Sequence, residues 1–553
     1  MDYNKLADLL FPDAKPIEYW EEKYPRRNLA KECEVTRYAP SPTGFMHLGN
    51  FFQMFISYNI AKNSNGIFMK RLEDTDAKRE KENAFEVIKE VMDKFGIFPD
   101  EYQEKGEEAV GNYGPYIQSL RKDIYSSYAK ELVKKGRAFP CFCKAKEGKE
   151  EIFKDREEKF LVNDEYEYDI CRDLSFEEIQ KHLENGDKFA IRLRTNGTGK
   201  ERVKFVDLIK GEIEAQANAK DVILIKQDGI PPYLFAHIVD DYLMGTTIIV
   251  RGEEYISSTP VHLEVIDALG LPHFKYCHNP LICKIPENGN KRKISKRYDP
   301  EADMRYYFEK GYPIEAVFEY LLNLISSSFE PWRINNPTLS WKEFKFGIDD
   351  ITAVSPVLDM VKFTDIAKNI VATFTAEEVY ERTLAWAKEY DVQFAEYLEK
   401  NKQYAIKVFE IDRYKEKPRK DIEMWSRIPE YYSFMFNPYF KCDDIKDFEI
   451  EEEKFEKAKE VVSLYKKIVN ANDDKETWFN KIKEMANDLG YATNNKEYKQ
   501  NPELYKGNVA TVCEFIRVAL TGKKDSLDLF SIISTIGQEE TEKRLAHFEN
   551  LLK

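Results

Sequence analysis

Three groups of residues in this chain have types and spacings that could do chemistry. The loop Pro40-Ser41-Pro42-Thr43-Gly44-Phe45-Met46-His47-Leu48-Gly49 joins a strand-like segment to a helix-like one. Unpaired backbone N–H groups and the dipole at a helix start favour phosphate. Thr43 adds a hydroxyl and His47 a ring donor, while Gly44 and Gly49 let backbone or nucleotide approach closely. An ordinary Pro/Gly turn with an incidental histidine accounts for the same residues. The second group is Asn290–Arg297, NKRKISKR, a loop in which five of the last seven residues are basic. Such a loop can close over polyphosphate and stabilise charge developing on a transferring phosphorus; a solvated surface loop and a nucleic-acid patch are the other readings. The third group is charge set among apolar neighbours: Arg37 in the first strand, Glu73 at the end of the second, and Arg251 directly after Thr247–Val250. Two arginines and a carboxylate could bind a ligand with two carboxylates and one ammonium, which describes glutamate or aspartate. Structural salt bridges are the alternative.

These residues need elements to position them. Cys33–Ala39 reads as a strand, Leu48, Phe51, Phe52, Phe55 and Ile60 as a helical stripe stopped by Asn63-Ser64-Asn65-Gly66, and Ile67–Leu72 as a second strand. A right-handed βαβ unit in a parallel sheet follows, with the loop at the strand's carboxyl end, where open α/β sheets bind ligands. Two patterns fail: Gly197-Thr198-Gly199-Lys200-Glu201 has Arg194 at the first glycine position of a phosphate loop and Glu201 for its Ser or Thr. No G-x-G-x-x-G follows the first strand, against a dinucleotide-binding oxidoreductase. Residues 111–225 read as an insertion with Cys141-Phe142-Cys143, a charged stretch and short strands such as Phe189–Leu193 and Val222–Ile225. Beyond about residue 370 the pattern turns helical. Thr375 and Glu378 form a capping box, and Phe455, Ala458, Val462, Tyr465 and Val469, then Trp478, Ile482, Met485 and Leu489, recur at core-packing intervals.

The 553 residues imply three or four domains. Hydrophobic residues at 42% and aromatics at 14% supply several cores. No run of 18 apolar residues occurs, which argues against a membrane span. The start lacks a secretory pattern and the eight cysteines are sparse, so a reducing cytoplasm is expected. With a formal charge of −15, nucleic acid could be held only by local basic surfaces.

Taken jointly, these residues resemble the bacterial-type glutamyl-tRNA synthetases, which are class I aminoacyl-tRNA synthetases. Arg37–Gly44 with His47-Leu48-Gly49-Asn50 is similar to that family's HIGH motif, and Lys293-Ile294-Ser295-Lys296-Arg297 to its KMSKS loop. Arg71–Asp76 resembles the stretch closing the amino-acid pocket, and Asp228–Glu254 the segment leading to a second pocket arginine. Pro40-Ser41-Pro42 separates the chain from glutaminyl and archaeal or eukaryotic cytosolic relatives, which carry Pro-Glu-Pro. The resemblance implies an α/β fold with a Rossmann-type parallel core at 34–110 and 226–290. It also implies an acceptor-stem-binding insertion at 111–225, a stem-contact region at 291–370 and an all-helical anticodon-binding half at 371–553. Residues 1–33 form an N-terminal extension with no counterpart in the motifs.

The resemblance implies roles as well. Arg37 and Arg251 hold the two carboxylates of glutamate and Glu73 its ammonium, with Ala39, Ser41, Tyr233 and His237 completing the pocket. Thr43, Gly44, His47, Gly49 and Asn50 cradle ATP with its Mg2+, and Lys293, Ser295 and Lys296 serve the leaving pyrophosphate. No protein nucleophile is required, since glutamate's own carboxylate attacks ATP and a tRNA ribose hydroxyl then attacks the adenylate. The partners implied are tRNA(Glu), with tRNA(Gln) left open, and a monomer is the family habit. Pro232, His237 and Tyr255 stand where threonine, asparagine and tryptophan are frequent. Cys141, Cys143, Cys171 and Asp173 resemble a zinc knuckle of some members, with aspartate in place of a histidine. Three thiols and a carboxylate can complete a tetrahedral site; a domain folded without metal is the alternative. In the helical half, Arg413–Lys420 is a basic run that could touch RNA or simply be solvated. A catalytically dead RNA-binding descendant is the rival reading, against which the intact Arg37, His47, Glu73, Arg251 and Lys296 stand.

Overall fold

Val35–Tyr38 and Ile67–Lys70 form strands β1 and β2, parallel and in register with Arg37 opposite Met69. The helix between them, α3 (Leu48–Asn63), starts at the first residue of the apolar stripe, and the His47 Nδ1 caps it by accepting the Gly49 N–H at 3.0 Å. It ends before Asn65, whose φ is 53°, and Gly66, where a Cβ would lie 1.8 Å from the Glu34 carbonyl oxygen. Only glycine passes there. The computed structural model describes residues 1–42, 44–76, 81, 83–143, 170–287 and 289–552. They fall into two compact units, Met1–Tyr306 with Phe318–Asp359, and Tyr307–Val317 with Met360–Lys553.

In the first unit a second parallel pair, β8 (Ile248–Gly252) and β9 (Lys275–Asn279), sets Arg251 opposite His278. Between them runs helix α6 (Thr259–Leu269). Strand β9 also pairs in parallel with β5 (Arg202–Asp207), which forms a hairpin with β6 (Gly211–Gln216). The two sheets meet along β1 and β8: the Thr247 N–H donates to Val35 O at 2.9 Å, and its Oγ1 accepts the Val35 N–H at 2.8 Å. One crossover leaves this seam toward β2 and the other toward β9. Such a switch of direction opens a crevice at the strands' carboxyl ends, and both Arg37 and Arg251 sit there.

The seam is backed by helix α4 (Lys122–Lys134) and helix α5 (Tyr233–Leu243). Buried Phe235, Ile238 and Val239 make α5 a core helix, yet Asp240 and Asp241 on it are fully buried too. Two buried acids must be paired, and the site is built from their partners. The extension is part of this same core. Helix α1 (Tyr3–Leu10), capped by Asp2, and helix α2 (Ile17–Lys23) bury Leu6, Ala7, Leu10 and Trp20 with Tyr125, Tyr128 and Leu132 of α4. The inserted region contributes an antiparallel sheet, β3 (Ala138–Cys141), β4 (Ala190–Leu193) and β7 (Ile223–Ile225).

The second unit is helical. The Thr375–Glu378 capping box forms with both of its bonds at the head of Ala376–Tyr390. The two apolar stripes become helices Phe455–Ile468 and Lys475–Asp488, which bury Val462, Tyr465, Trp478 and Ile482 in one core. The basic run is mostly engaged with the fold. Arg413 donates to the carbonyls of Phe409, Val371 and Phe374, and Arg419 binds Asp421 and Ser526 O. These bonds tie the run to backbone carbonyls and to Asp421. Among the described residues no helix is long and apolar enough to cross a membrane.

Candidate functional site

Strands β1 and β8 deliver two buried arginines to the seam. Arg37 donates from Nε to Asp241 Oδ1 (3.0 Å) and from Nη1 to Val250 O (3.2 Å). Arg251 donates from Nε to His278 Nε2 (2.9 Å), from Nη1 to His262 Nδ1 (3.0 Å) and from Nη2 to Thr259 Oγ1 (3.0 Å). A guanidinium carries five N–H groups. Among the described residues, each arginine therefore keeps a donor on both terminal nitrogens, the fork that takes a carboxylate by two bonds. Because Arg251 can only donate, His278 Nε2 accepts, and its Nδ1–H is directed to Asp207 Oδ2 at 2.7 Å.

Glu73 is reached through Arg71, which donates from Nη2 to Glu73 Oε1 (2.9 Å) and from Nη1 to Asp241 Oδ1 (2.7 Å). Asp241 Oδ1 thus holds two arginines together. Burial alone would raise its pKa, but Arg37 and Arg71 keep it well below the ordinary carboxylate range. Asp240, one position earlier, accepts from Arg121 Nε (2.7 Å), Gln118 Nε2 (2.9 Å) and the Tyr125 hydroxyl (2.8 Å). At Glu73 burial prevails over Arg71 and Arg37, and the pKa is pushed up to about 7. His237 stacks on Tyr233 with centroids 4.7 Å apart, and its Nδ1 lies 3.2 Å from Asp241 Oδ2. Burial lowers its pKa to about 4, so it is neutral at physiological pH. The Tyr255 ring lies 5.4 Å from the Arg251 guanidinium. Ala39 and Ser41 follow β1 on the loop, half-buried and exposed.

Beside this pocket, His47, Gly49, Asn50, Glu254, Asn279 and Lys293 line a cleft. Burial, with Lys296 and Lys293 nearby, lowers the His47 pKa to about 4. With Nδ1 accepting from Gly49, the neutral ring carries its proton on Nε2 and acts as a donor. Gly44 has a φ of 121°, open only to glycine, and a Cβ on Gly49 would stand 3.2 Å from His47 Nδ1. Thr43 lies outside the described residues. Lys293 Nζ lies 3.2 Å from Glu254 Oε1. Lys296 donates to Phe45 O at 2.8 Å and sits 4.1 Å over the Phe45 ring, bringing the basic loop onto the Pro-Ser-Pro loop. Asp299 pins that loop, taking both terminal nitrogens of Arg292 (2.6 and 2.8 Å) and the Ser295 N–H (2.8 Å).

A phosphate-ready helix start thus faces a lysine loop, beside two arginine forks and a buried carboxylate. Residues 34–331 match the family of class I tRNA synthetases (E and Q), catalytic domain, and residues 378–548 match an anticodon binding domain. A glutamate–tRNA ligase of Acetivibrio thermocellus is 43% identical over 99% of each chain. The chain belongs to the glutamate–tRNA ligase family. A second member, from Clostridium perfringens strain SM101, is 42% identical over 99% of this chain and 100% of its own. The crystal structure of a glutamate tRNA ligase from Elizabethkingia meningosepticum shares the fold at a TM-score of 0.72, with 24% identity, over 94% of this chain and 100% of that one.

In this glutamate–tRNA ligase fold the structure brings Arg37, Glu73, Tyr233, His237 and Arg251 into one bonded network, and His47, Gly49, Asn50 and Lys293 into one cleft. It adds Arg71, Asp240 and Asp241, which lie within the motif stretches but were given no role there, and His262, His278 and Asp207, which lie outside them. A signal was present: Asp240-Asp241 lies inside an apolar stretch, where ionised acids require buried partners. Cys141, Cys143 and Cys171 bring their sulfurs within 4.8 Å of one another. Asp173 stands apart, 85% exposed in its side chain and 3.5 Å from Arg194 Nη1.

A pH dependence follows from Glu73. Its raised pKa means that the folded chain binds more protons than the unfolded one between the ordinary 4.5 and about 7, so this group's contribution to stability falls as pH rises through that window. An ammonium needs the ionised carboxylate. The ionised fraction rises about tenfold from pH 6 to pH 8, and kcat/KM for glutamate is expected to rise with it. Glu73→Gln should flatten the profile; an unchanged slope in that variant would assign the dependence to another group.

Proposed function

We propose that this chain activates L-glutamate with ATP and transfers it to the 3′-terminal adenosine of tRNA(Glu), in the cytoplasm. Arg37 and Arg251 bind the two carboxylates and Glu73 the ammonium. The observation that carries this assignment is the match of charge and open bonding positions. Two arginines offer unused forks, and Glu73 Oε2 accepts no bond among the described residues. The inventory is that of an amino acid with an acidic side chain, and family membership selects glutamate over aspartate.

His47 Nε2–H, Gly49 and Asn50 then receive ATP at the start of α3, with Lys293 across the cleft and Lys296 on the Phe45 backbone beside it. Glutamate's α-carboxylate attacks the α-phosphorus, the bond to pyrophosphate breaks, and the lysines stabilise the charge that develops on it. The ribose hydroxyl of the tRNA end then attacks the adenylate carbonyl and AMP leaves. Glu254 is the acid lining the cleft, so the residues present fit the one carboxylate that Mg2+ with ATP commonly takes. That ion supplies neutralisation of phosphate charge. The chain's own work is positioning and charge stabilisation, which accounts for a site with no nucleophile. Arg251→Gln tests the assignment. Exchange of pyrophosphate into ATP, measured with tRNA(Glu) present, should show a glutamate KM raised about 100-fold or more, the loss of a bidentate charged contact, with the ATP KM nearly constant. Equal shifts in both would remove Arg251 from the amino-acid pocket.

The three cysteines fit zinc in part: their thiols are soft donors already gathered, supplying three of the four positions of a structural site. The hydrogen bond to Cys141, then burial, holds the Cys171 thiol well above its ordinary range, and a bound zinc would displace its proton. Asp173, turned to Arg194, does not supply the fourth. About one zinc per chain is expected by elemental analysis, falling to near zero in Cys171→Ser. A chain that purifies metal-free and binds no added zinc would assign the cluster to packing.

A further inference from the structure

The extension is tied to the glutamate pocket by more than its apolar face. Leu6, Ala7, Leu10 and Trp20 are enough to dock it, yet it also buries a guanidinium. Arg27, whose side chain is 7% exposed, donates from Nη1 and Nη2 to the two oxygens of Glu101 (2.8 and 2.6 Å) and from Nε to Met244 O (2.7 Å). It lies 3.9 Å from the Tyr113 ring centroid. Each contact leads to the pocket floor. Met244 directly follows α5, which carries Asp240 and Asp241, and its sulfur lies 3.9 Å from Arg71 Nη1. The Glu101 backbone carbonyl accepts the Lys70 N–H of β2 at 2.9 Å, and Arg27 Nη2 also reaches the sulfur of Met69, the residue opposite Arg37. A second link runs from Tyr24, whose ring lies 5.4 Å from the Arg121 guanidinium, and Arg121 holds Asp240.

We propose that the N-terminal extension is a positioning element of the glutamate pocket, with Arg27 and Tyr24 fixing α5 and its two aspartates so that Arg71, Glu73 and Arg37 keep their geometry. The inference rests on the proposed assignment of that pocket to glutamate. Its physical basis is the directional bonding of a buried ion pair. Desolvating a guanidinium and a carboxylate is costly, and such pairs add little stability over apolar packing, but they admit only one arrangement of the groups they join. Here those groups are the end of β2 and the end of α5. Loss of Arg27 frees Met244 and lets α5 shift relative to Arg71, without touching the cleft that takes ATP.

The test compares variants of the full chain by pyrophosphate exchange with tRNA(Glu) present, varying glutamate and ATP separately. Arg27→Met is expected to raise the glutamate KM about 3–30-fold, the range for changes transmitted through a packed network, with the ATP KM within about twofold. Arg27→Lys should restore part of the loss. Leu6→Ala, which weakens docking alone, should lower the melting temperature and leave both KM values in place. If Arg27→Met does not fold because Glu101 is left unpaired, Arg27→Met with Glu101→Gln removes both charges and still lacks the bond to Met244 O. An unchanged glutamate KM in that folded variant overturns the proposal, as does a parallel shift of both KM values matched by Leu6→Ala. A wild-type chain with no glutamate-dependent exchange removes the functional assignment itself, and this inference with it; wild-type exchange with an indifferent Arg27 variant removes the inference alone.

Discussion

Lys296→Ala is expected to slow adenylate formation about 10²–10³-fold, the effect of removing one donor aimed at developing charge in a preorganised site. The melting temperature should stay within about 2 °C, because an exposed side chain away from the core contributes little to stability. Lys296 lies on the loop pinned by Asp299, donates to Phe45 O and covers the Phe45 ring, at the edge of the helix start that His47 caps. Partial desolvation of its ammonium at that contact lowers its pKa, with Asp303 opposing the shift. A cation so placed can move with the loop onto pyrophosphate leaving from the α-phosphorus. Exchange at the wild-type rate would take the basic loop out of the mechanism.

The second large effect is on Asp241. Asp241→Asn should destabilise the fold by about 3–5 kcal/mol, the cost of breaking a buried pair and leaving charge uncompensated. Two guanidiniums, Arg37 and Arg71, converge on its Oδ1 at 3.0 and 2.7 Å, and a neutral amide cannot offset both. Any folded fraction should bind glutamate at least about tenfold more weakly, since the loss of one charge-assisted bond costs more than 1.4 kcal/mol. Denaturant unfolding and glutamate titration read the two effects separately. The pH sign is opposite to that of Glu73. A carboxyl held below its ordinary 3.8 contributes stability that is complete above that value and is lost as pH falls through the folded pKa. A variant as stable as the parent would show that the network is not what holds the seam.

Local patterns carried the reading of β1, α3 and β2, whose stop at Asn65-Gly66 and cap at His47 depend on residues within a few positions. The same is true of the Thr375–Glu378 box. The charge network was less legible, because its bonds span 204 residues from Arg37 to Asp241 and 170 from Arg71 to Asp241. Sequence lists the charges but not which acid faces which arginine. Arg37, Glu73 and Arg251 were found because their types matched a ligand; Asp241 and His278 bond to other groups of the protein and so escaped. The extension escaped for a related reason. Its apolar residues signal docking, whereas its partner surface on α4 and α5 lies more than 100 residues downstream, as the Trp20–Ser127 bond at 2.8 Å illustrates. In the opposite direction, Asp173 completed a ligand set through the resemblance to a zinc knuckle, and in the structure it lies exposed, 3.5 Å from Arg194 Nη1.

The most direct measurement is ATP-dependent attachment of labelled glutamate to purified tRNA(Glu) and tRNA(Gln) transcripts, with glutamine and aspartate as control amino acids. Glutamate should be attached to tRNA(Glu), neither control should be attached to either transcript, and charging of tRNA(Gln) by glutamate would place the chain among ligases that accept both. Attachment of a control amino acid would contradict the charge match at Arg37, Glu73 and Arg251, and no charging at all would contradict the activity.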